Sequence, residues 1–193
     1  MRFQDAVNDM EAQMKFPLSI IAVVILLCFT VSCHHKAEKA ELEKVKAQQA
    51  TEEQNKQVAR DFFAAIDRQD FTKLKELLAD DFALDDPGSP VPLHADNLFA
   101  GIRDHYTAFP DWNHVIEDVT AEGEKVTVRL IQYGTHKATY MGIPATGNRV
   151  HMAALHVGRI VDGKIKDWFA VEDYLGLMTQ LGMELKPREA NKK

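Results

Sequence analysis

Two kinds of hydrophobic spacing divide the chain. Up to about residue 110, apolar positions recur every three to four residues, the repeat of a helix that buries one face. In "EEQNKQVARDFFAAIDRQD", Val58, Phe62, Phe63 and Ile66 make such a face. Phe71, Leu74, Leu77 and Leu78 make a second, shorter one. "DDPGSPVP" (85–92) is a loop by its Pro and Gly content. A third helix is predicted from about Ala95 to Ala108, with Leu98, Phe99 and Ile102 inward, and "FPDW" (109–112) ends it.

Beyond that point apolar and polar residues alternate. "HVIEDVTA" (114–121) predicts a strand, and "KVTVRLIQYGTHKATY" (125–140) a long one rich in β-branched and aromatic residues. "GIPATGN" (142–148) is a loop, and "RVHMAALHVGRIV" (149–161) is another strand. "VDGK" (161–164) carries the Asp-Gly signal of a two-residue hairpin turn, after which "KIKDWFAV" (164–171) returns. "EDYLGLMTQLG" (172–182) closes the domain as a short helix, with Asp173 as its cap. Helices followed by a meander of strands make an α+β layout. There is no βαβ alternation and no glycine-rich phosphate loop, which disfavours a nucleotide fold.

The hairpin raises the chemical question. His156 sits among small and apolar residues. With Asp162 and Gly163 as the turn, paired positions sum to a constant, and Gly158 is expected opposite Asp167 and His156 opposite Phe169. One face then carries Met152, Ala154, His156, Gly158 and Ile160 with Ile165, Asp167, Phe169 and Val171; the other carries His151, Arg159, Lys164, Lys166 and Trp168. His156 and Asp167 become diagonal neighbours, roughly 7–8 Å apart at Cα. Gly158 opposite Asp167 leaves room for a cavity. A core histidine satisfied by that carboxylate is the competing reading.

Composition narrows the choice. The chain has 193 residues, 46% hydrophobic and 27% charged, with net charge -6. That suits one globular domain plus extra segments. No Lys/Arg cluster is interleaved with aromatics, so nucleic acid is not an expected partner. The two cysteines, Cys28 and Cys33, both lie in the apolar N-terminal segment, so the folded part is expected to have no disulfide, thiolate site or cysteine nucleophile. The domain's six histidines show no HxH or HExxH spacing, and His151 and His156 face opposite sides of their strand, so no metal is expected. His94, His105 and His114 read as surface or structural, Glu172 as solvent-facing, and Tyr106 and Trp112 as pocket wall or core.

The N-terminus reads as an address. "FPLSIIAVVILLCFTVSC" (16–33) has no charge and follows Lys15, as in a secretory leader. "TVSC" resembles a bacterial lipoprotein signal in which Cys33 is lipidated, with Thr30 where Leu is usual. A membrane-spanning helix is the alternative, at the short limit of length. Either places the domain at a membrane. Residues 1–13 carry Asp5, Asp9 and Glu11 where positive charge is wanted, so translation is expected to start at Met14. Residues 34–55, including His34 and His35, read as a polar tether, transiently helical through Glu–Lys pairs. Residues 184–193 read as a polar tail.

"FPDW" (109–112), "AEGEKVTVR" (121–129), "GTHKATYMGIPATGNRV" (134–150) and "DYLGLMTQLG" (173–182), in this order and spacing, resemble the SnoaL-like polyketide cyclase, or ester cyclase, family over roughly residues 56–183. The resemblance implies a nuclear transport factor 2-like fold: a curved antiparallel sheet wrapped by helices into a cone with an apolar pocket, commonly a homodimer. It implies aldol ring closure on aromatic polyketides without metal or cofactor, a side-chain base removing a proton while the pocket stabilises the enolate. His136 matches the histidine of the family's "GTH" and is the implied acid or enolate stabiliser. The family's aspartate base falls on His156. Asp167 stands where an acidic residue is common and Phe169 where tryptophan is. Asp86 matches an aspartate of many relatives, with Asp85 replacing the histidine before it.

Two functions follow as expectations. One is a cofactor-independent acid–base enzyme acting on a small apolar carbonyl compound, with His156 as base, Asp167 orienting it and His136 donating to the oxyanion. Met152, Ala154, Phe169, Trp112, Tyr106 and Asp86 would form the substrate wall. The other is a membrane-tethered module that binds a hydrophobic ligand or a partner without turnover.

Overall fold

A computed structural model describes residues 18–85, 89, 91–184 and 186, and side-chain surroundings from His35 onward except Ala37. The readings that rest on residues 1–17, on the side chain of Cys33 and on Asp86 lie outside the described residues. The chain divides into two compact units, Met1–Gln48 and Gln49–Lys193. In the first, residues 18–48 are helical, and those from 38 to 48 are exposed to solvent. The segment read as a transiently helical tether is continuous helix, which its Glu–Lys spacing favours. Among the described residues no helix is long and apolar enough to cross a membrane.

The second unit is built on a five-stranded, curved and unclosed sheet. Its elements are helix α1 (Leu18–Asp67, of which residues 49–67 belong here), α2 (Phe71–Leu77), strand β1 (Leu78–Asp85), α3 (Ala95–Ala108), β2 (Asn113–Glu122), β3 (Lys125–Thr135), β4 (Arg149–Val161), β5 (Lys164–Glu172) and α4 (Tyr174–Gln180). The α+β class expected from the spacing is the class observed. The sheet order is β1-β5-β4-β3-β2. The β2–β5 meander is antiparallel, and β1 adds to the edge of β5 in parallel.

Strand β1 corrects the expectation for its region. Leu74 and Leu77 are helical as predicted, but Leu78 leaves the helix at φ -85, ψ 145 and starts a strand. Helical spacing of Leu74, Leu77 and Leu78 masked this, because an edge strand buries only Leu78 and Phe82 fully. Its partner β5 is 80-odd residues away, so pairing rather than local propensity decides the state.

The β4–β5 turn forms at Asp162 and Gly163, both with positive φ (50° and 75°), as Asp-Gly predicts. The register does not follow the simple count. Val161 pairs with Lys164 and Ile160 with Ile165, but Arg159 then pairs with Asp167 because Lys166 is an extra residue. A bulge of one residue moves every later side chain to the other face. His156 therefore lies opposite Ala170, not Phe169, and Gly158 opposite Trp168, not Asp167.

The face of β4 is as predicted: Val150, Met152, Ala154, His156, Gly158 and Ile160 alternate as buried positions. The face of β5 is reversed after Ile165. Trp168 is buried, whereas Phe169 and Val171 are exposed on the outer face beside Leu155. Asp167 is outside too, where its Oδ2 accepts from Arg159 Nε at 2.8 Å.

Helix α1 crosses the inner face. Phe62 packs on Trp168 with ring centroids 5.1 Å apart. Farther back, Gly123 in the β2–β3 turn donates to Glu52 Oε1 (3.0 Å) and accepts from the Asn55 amide (2.9 Å). Contacts with the sheet thus begin a turn before residue 56.

Candidate active site

Between α1, α3 and the inner sheet face lies a cavity of about 650 Å³. Its walls are mostly apolar, with Phe62, Ile66, Leu98 and Ile102 contributed by the helices. That volume falls in the range of small-molecule sites. The sheet contributes one polar group from each strand of the meander: His114 on β2, Gln132 on β3, His156 on β4 and Glu172 on β5, and α3 adds Asn97, Asp104, His105, Tyr106 and Thr107.

Two tryptophans orient this row. Trp168 Nε1–H donates to His156 Nδ1 at 2.9 Å. Indole nitrogen only donates, so Nδ1 carries the lone pair and the ring proton sits on Nε2. Burial pushes the His156 pKa from 6.5 down to about 3, with nearby His114 adding to the shift, so the ring is neutral near pH 7. Its Nε2–H lies 3.6 Å from Glu172 Oε1. With a neutral ring that contact is not an ion pair, and it is too long for a hydrogen bond. The result is a buried donor without a protein partner.

Trp112 works alike on the next strand. Its Nε1–H donates to Gln132 Oε1 at 2.9 Å, and Gln132 Nε2 donates to Glu172 Oε1 at 3.1 Å. Glu172 thus accepts from Gln132 and stands beside the unpaired His156 donor. Beside it stands Tyr140, whose pKa is pushed up to about 12 by burial and by the Glu172 charge, so its phenol keeps its proton.

A second cluster closes the α3 side. Asp67, at the end of α1, accepts from His114 Nδ1 at 2.6 Å, from the Tyr106 hydroxyl at 3.1 Å and from the His114 backbone N–H at 3.2 Å. Burial, then Asp67, hold the Tyr106 phenol above its ordinary pKa. His105 stacks on Phe109 at 5.0 Å and is pushed from 6.5 to about 4 by burial and by His114.

Of the residues singled out in the sequence, His156, Trp112 and Tyr106 line the cavity together. Asp167 and Phe169 do not, because the bulge turns them outward. Met152 and Ala154 are buried core beneath the site and absent from its lining. His136 is fully buried outside the cavity; its Nδ1 accepts from the Thr146 backbone N–H at 3.2 Å and its ring stacks on Phe109 at 5.1 Å. His94 tops α3, its Nδ1 3.1 Å from Phe82 O.

Glu172 corrects its solvent-facing reading, since it lines the cavity; His105 and His114, read as surface or structural, make structural contacts with Phe109 and Asp67 and also line it. His114 and Gln132 were within reach of the alternation rule: Gln132 continues the buried series Val126, Val128, Leu130. Glu172 was not, because the bulge precedes it. Asp173 caps α4 as expected, accepting from Gly176 N–H at 2.8 Å. Among the described residues no group of three or more His, Cys, Asp or Glu is arranged to hold a metal.

The model of the family described as SnoaL-like polyketide cyclase matches residues 56–181. The chain is 42% identical over 76 residues to the aklanonic acid methyl ester cyclase DnrD of Streptomyces peucetius, covering 39% of this chain and 52% of that protein. It is 43% identical over 77 residues to the aklanonic acid methyl ester cyclase DauD of Streptomyces sp. (strain C5), covering 39% and 47%. The chain therefore spans about half the length of the curated relatives it matches. Among solved structures it is similar to IdmH of Streptomyces antibioticus, a candidate polyketide cyclase, with TM-score 0.63 and 26% identity over 67% of this chain and 99% of that one.

Proposed function

The chain belongs to the SnoaL-like polyketide cyclase family, and from that premise we propose that its cavity performs cofactor-independent acid–base chemistry on a small, largely apolar carbonyl compound. The observation that carries this reading is the meeting of a buried, partnerless N–H (His156 Nε2) and a carboxylate oxygen (Glu172 Oε1) 3.6 Å apart on the cavity wall. Where the resemblance implies an aspartate base stands His156, whose Nδ1 lone pair is engaged by Trp168. The base role therefore passes to Glu172.

In the proposed reaction the Glu172 carboxylate takes a proton from the carbon next to a carbonyl. The C–H bond breaks, an O–H bond forms, and the electron pair moves to the carbonyl oxygen. His156 Nε2–H donates to that enolate oxygen and so acts as a preorganised oxyanion donor. The enolate carbon then bonds to a second carbonyl of the same molecule, and the resulting alkoxide takes the proton back from Glu172. The relatives' names, which specify methyl ester cyclisation, support this reaction class.

The test follows deuterium from solvent into an aryl β-keto ester, and ring closure of aklanonic acid methyl ester, using the full chain. Exchange above the uncatalysed rate, abolished in Glu172→Gln, is the expected result. Exchange that is equal with and without protein rejects turnover. It would instead favour a ligand-holding module, a reading supported by a histidine at position 156, where the resemblance implies an aspartate.

We further propose that residues 14–33 deliver the domain to a membrane through lipidated Cys33, on the sequence pattern alone. Mass spectrometry of the mature protein tests this, and an unprocessed, unacylated N-terminus rejects it. Exposed Leu155, Phe169 and Val171 on the outer sheet face support the homodimer that the family resemblance implies; a monomer mass in sedimentation rejects it.

A further inference from the structure

His156 is one of two cavity histidines whose protonation site is dictated by a neighbour. His114 is the other, and its neighbour has the opposite character. A carboxylate only accepts, so Asp67 Oδ1 at 2.6 Å places the ring proton of neutral His114 on Nδ1 and leaves the lone pair on Nε2. The Tyr106 hydroxyl and the His114 backbone N–H converge on the same carboxylate, which leaves the ring little freedom to turn. His114 is nearly enclosed, with 7% of its side chain exposed, and lines the cavity.

The two imidazoles flank one aromatic side chain. Phe63 lies 5.2 Å, centroid to centroid, from His114 and 5.2 Å from His156. The cavity wall thus presents an acceptor, a ring face and a donor in sequence. A flat apolar body laid along Phe63 meets a lone pair at one end and an N–H at the other. The His156 donor is buried without a partner, so a ligand that lacks a carbonyl there leaves it unpaired at a cost, whereas a hydroxyl on His114 Nε2 adds a hydrogen bond in a nearly enclosed site.

We propose that His114, fixed by Asp67, is a specificity-determining residue that accepts a hydrogen bond from a hydroxyl or phenol of the ligand. The ligand then lies with its hydroxyl on His114 and its carbonyl on His156. This rests on the reading of the cavity as a carbonyl site, but its own claim concerns the hydroxyl end.

The experiment measures binding of three probes to the full chain: a hydroxynaphthyl methyl ketone, the naphthyl methyl ketone without the hydroxyl, and an ethylnaphthalene. The hydroxy ketone is expected to bind about tenfold tighter than the plain ketone, the worth of one hydrogen bond. In His114→Phe that advantage vanishes, read as the ratio of the hydroxy ketone and plain ketone affinities in the same variant. Nitrogen-15 NMR of the intact chain is expected to show His114 protonated at Nδ1 and bare at Nε2, with the reverse at His156, and needs no substitution to read. A proton on His114 Nε2, no hydroxyl advantage in the native chain, or an advantage that survives His114→Phe overturns the proposal. A hydroxyl advantage that disappears in His114→Phe, with ketone and ethylnaphthalene binding equally, upholds the His114 assignment and rejects the carbonyl reading instead.

Discussion

Two tryptophans rest on two glycines, and each spends its indole N–H on the cavity wall. Trp168 covers Gly158, where a Cβ would come within 2.1 Å of the ring; Trp112 covers Gly134, where it would come within 2.3 Å. Trp168 sets His156, Trp112 sets Gln132, and both of these aim a remaining donor at Glu172 Oε1. The two arms end differently. The amide of Gln132 reaches the carboxylate at 3.1 Å and completes its bond, whereas the imidazole stops at 3.6 Å. One arm therefore holds the carboxylate in place, and the other keeps a desolvated donor free for an incoming acceptor. The difference comes from side-chain chemistry: an amide carries two donors and rotates to reach, while a ring has its second nitrogen at a fixed angle from the first.

Removing the shared end of both arms has the largest effect. Glu172→Gln is expected to lower α-carbon exchange by about 10²–10⁴-fold, the usual worth of a positioned base. Thermal unfolding should stay near that of the native chain, since Glu172 is only partly buried; an unchanged exchange rate assigns the base elsewhere.

Crowding the glycines comes next. Gly158→Ala and Gly134→Ala should each destabilise the fold by about 1–3 kcal/mol, read by urea denaturation, as over-packing against an indole does. Only Gly158→Ala should also free the His156 ring. Equal loss of exchange in both variants would erase the distinction between a holding arm and a working arm.

Trimming the indoles separates them further. Trp168→Phe leaves His156 Nδ1 without its donor, and Trp112→Phe leaves Gln132 Oε1 without one, each costing about 1–2 kcal/mol. Nitrogen-15 NMR should show the His156 proton shared between both ring nitrogens in the first variant and still on Nε2 in the second.

The narrowest effect is on acid stability, confined to the lower pH range. Folding holds His156 at about 3 and His105 at about 4, against 6.5 for the free side chain, because burial disfavours the charged ring. The unfolded chain takes up these protons first. Their contribution is therefore intact above about pH 6.5 and lost as pH falls from there toward 3. In His156→Phe the decline of stability between about pH 6 and 4 should be shallower by one proton's worth of slope; an unaltered slope would mean that the ring is already charged in the folded chain.

Much of this architecture was readable from residue order. Helix α3 occupies Ala95–Ala108 as predicted, and the alternation in β3 and β4 assigns their inner faces correctly. The inward placement of His156 follows from that alternation alone. The pairing of His156 with Asp167 does not survive, nor does the outward reading of Trp168 and Glu172, for one reason. The bulge at Lys166 changes the parity of β5, and a count made from the turn carries the error to every later position. Strand β1 was missed because its partner lies on the opposite edge of the chain's path, across α3 and the whole meander.

By itself, then, the sequence determines the class of each long element, the β4 face and the location of the turn, because these depend on periodicities of 3.6 and 2 and on the positive φ that Asp-Gly accepts. It also carries the family, through motifs whose order is preserved. Only the tertiary structure decides which polar atoms meet. His156 depends on Trp168 for its tautomer, His114 on Asp67 for the opposite one, and Glu172 on a single extra residue for facing inward at all. Such contacts join residues from 12 to 47 positions apart. Their geometry is set by packing and register, to which local pattern is blind.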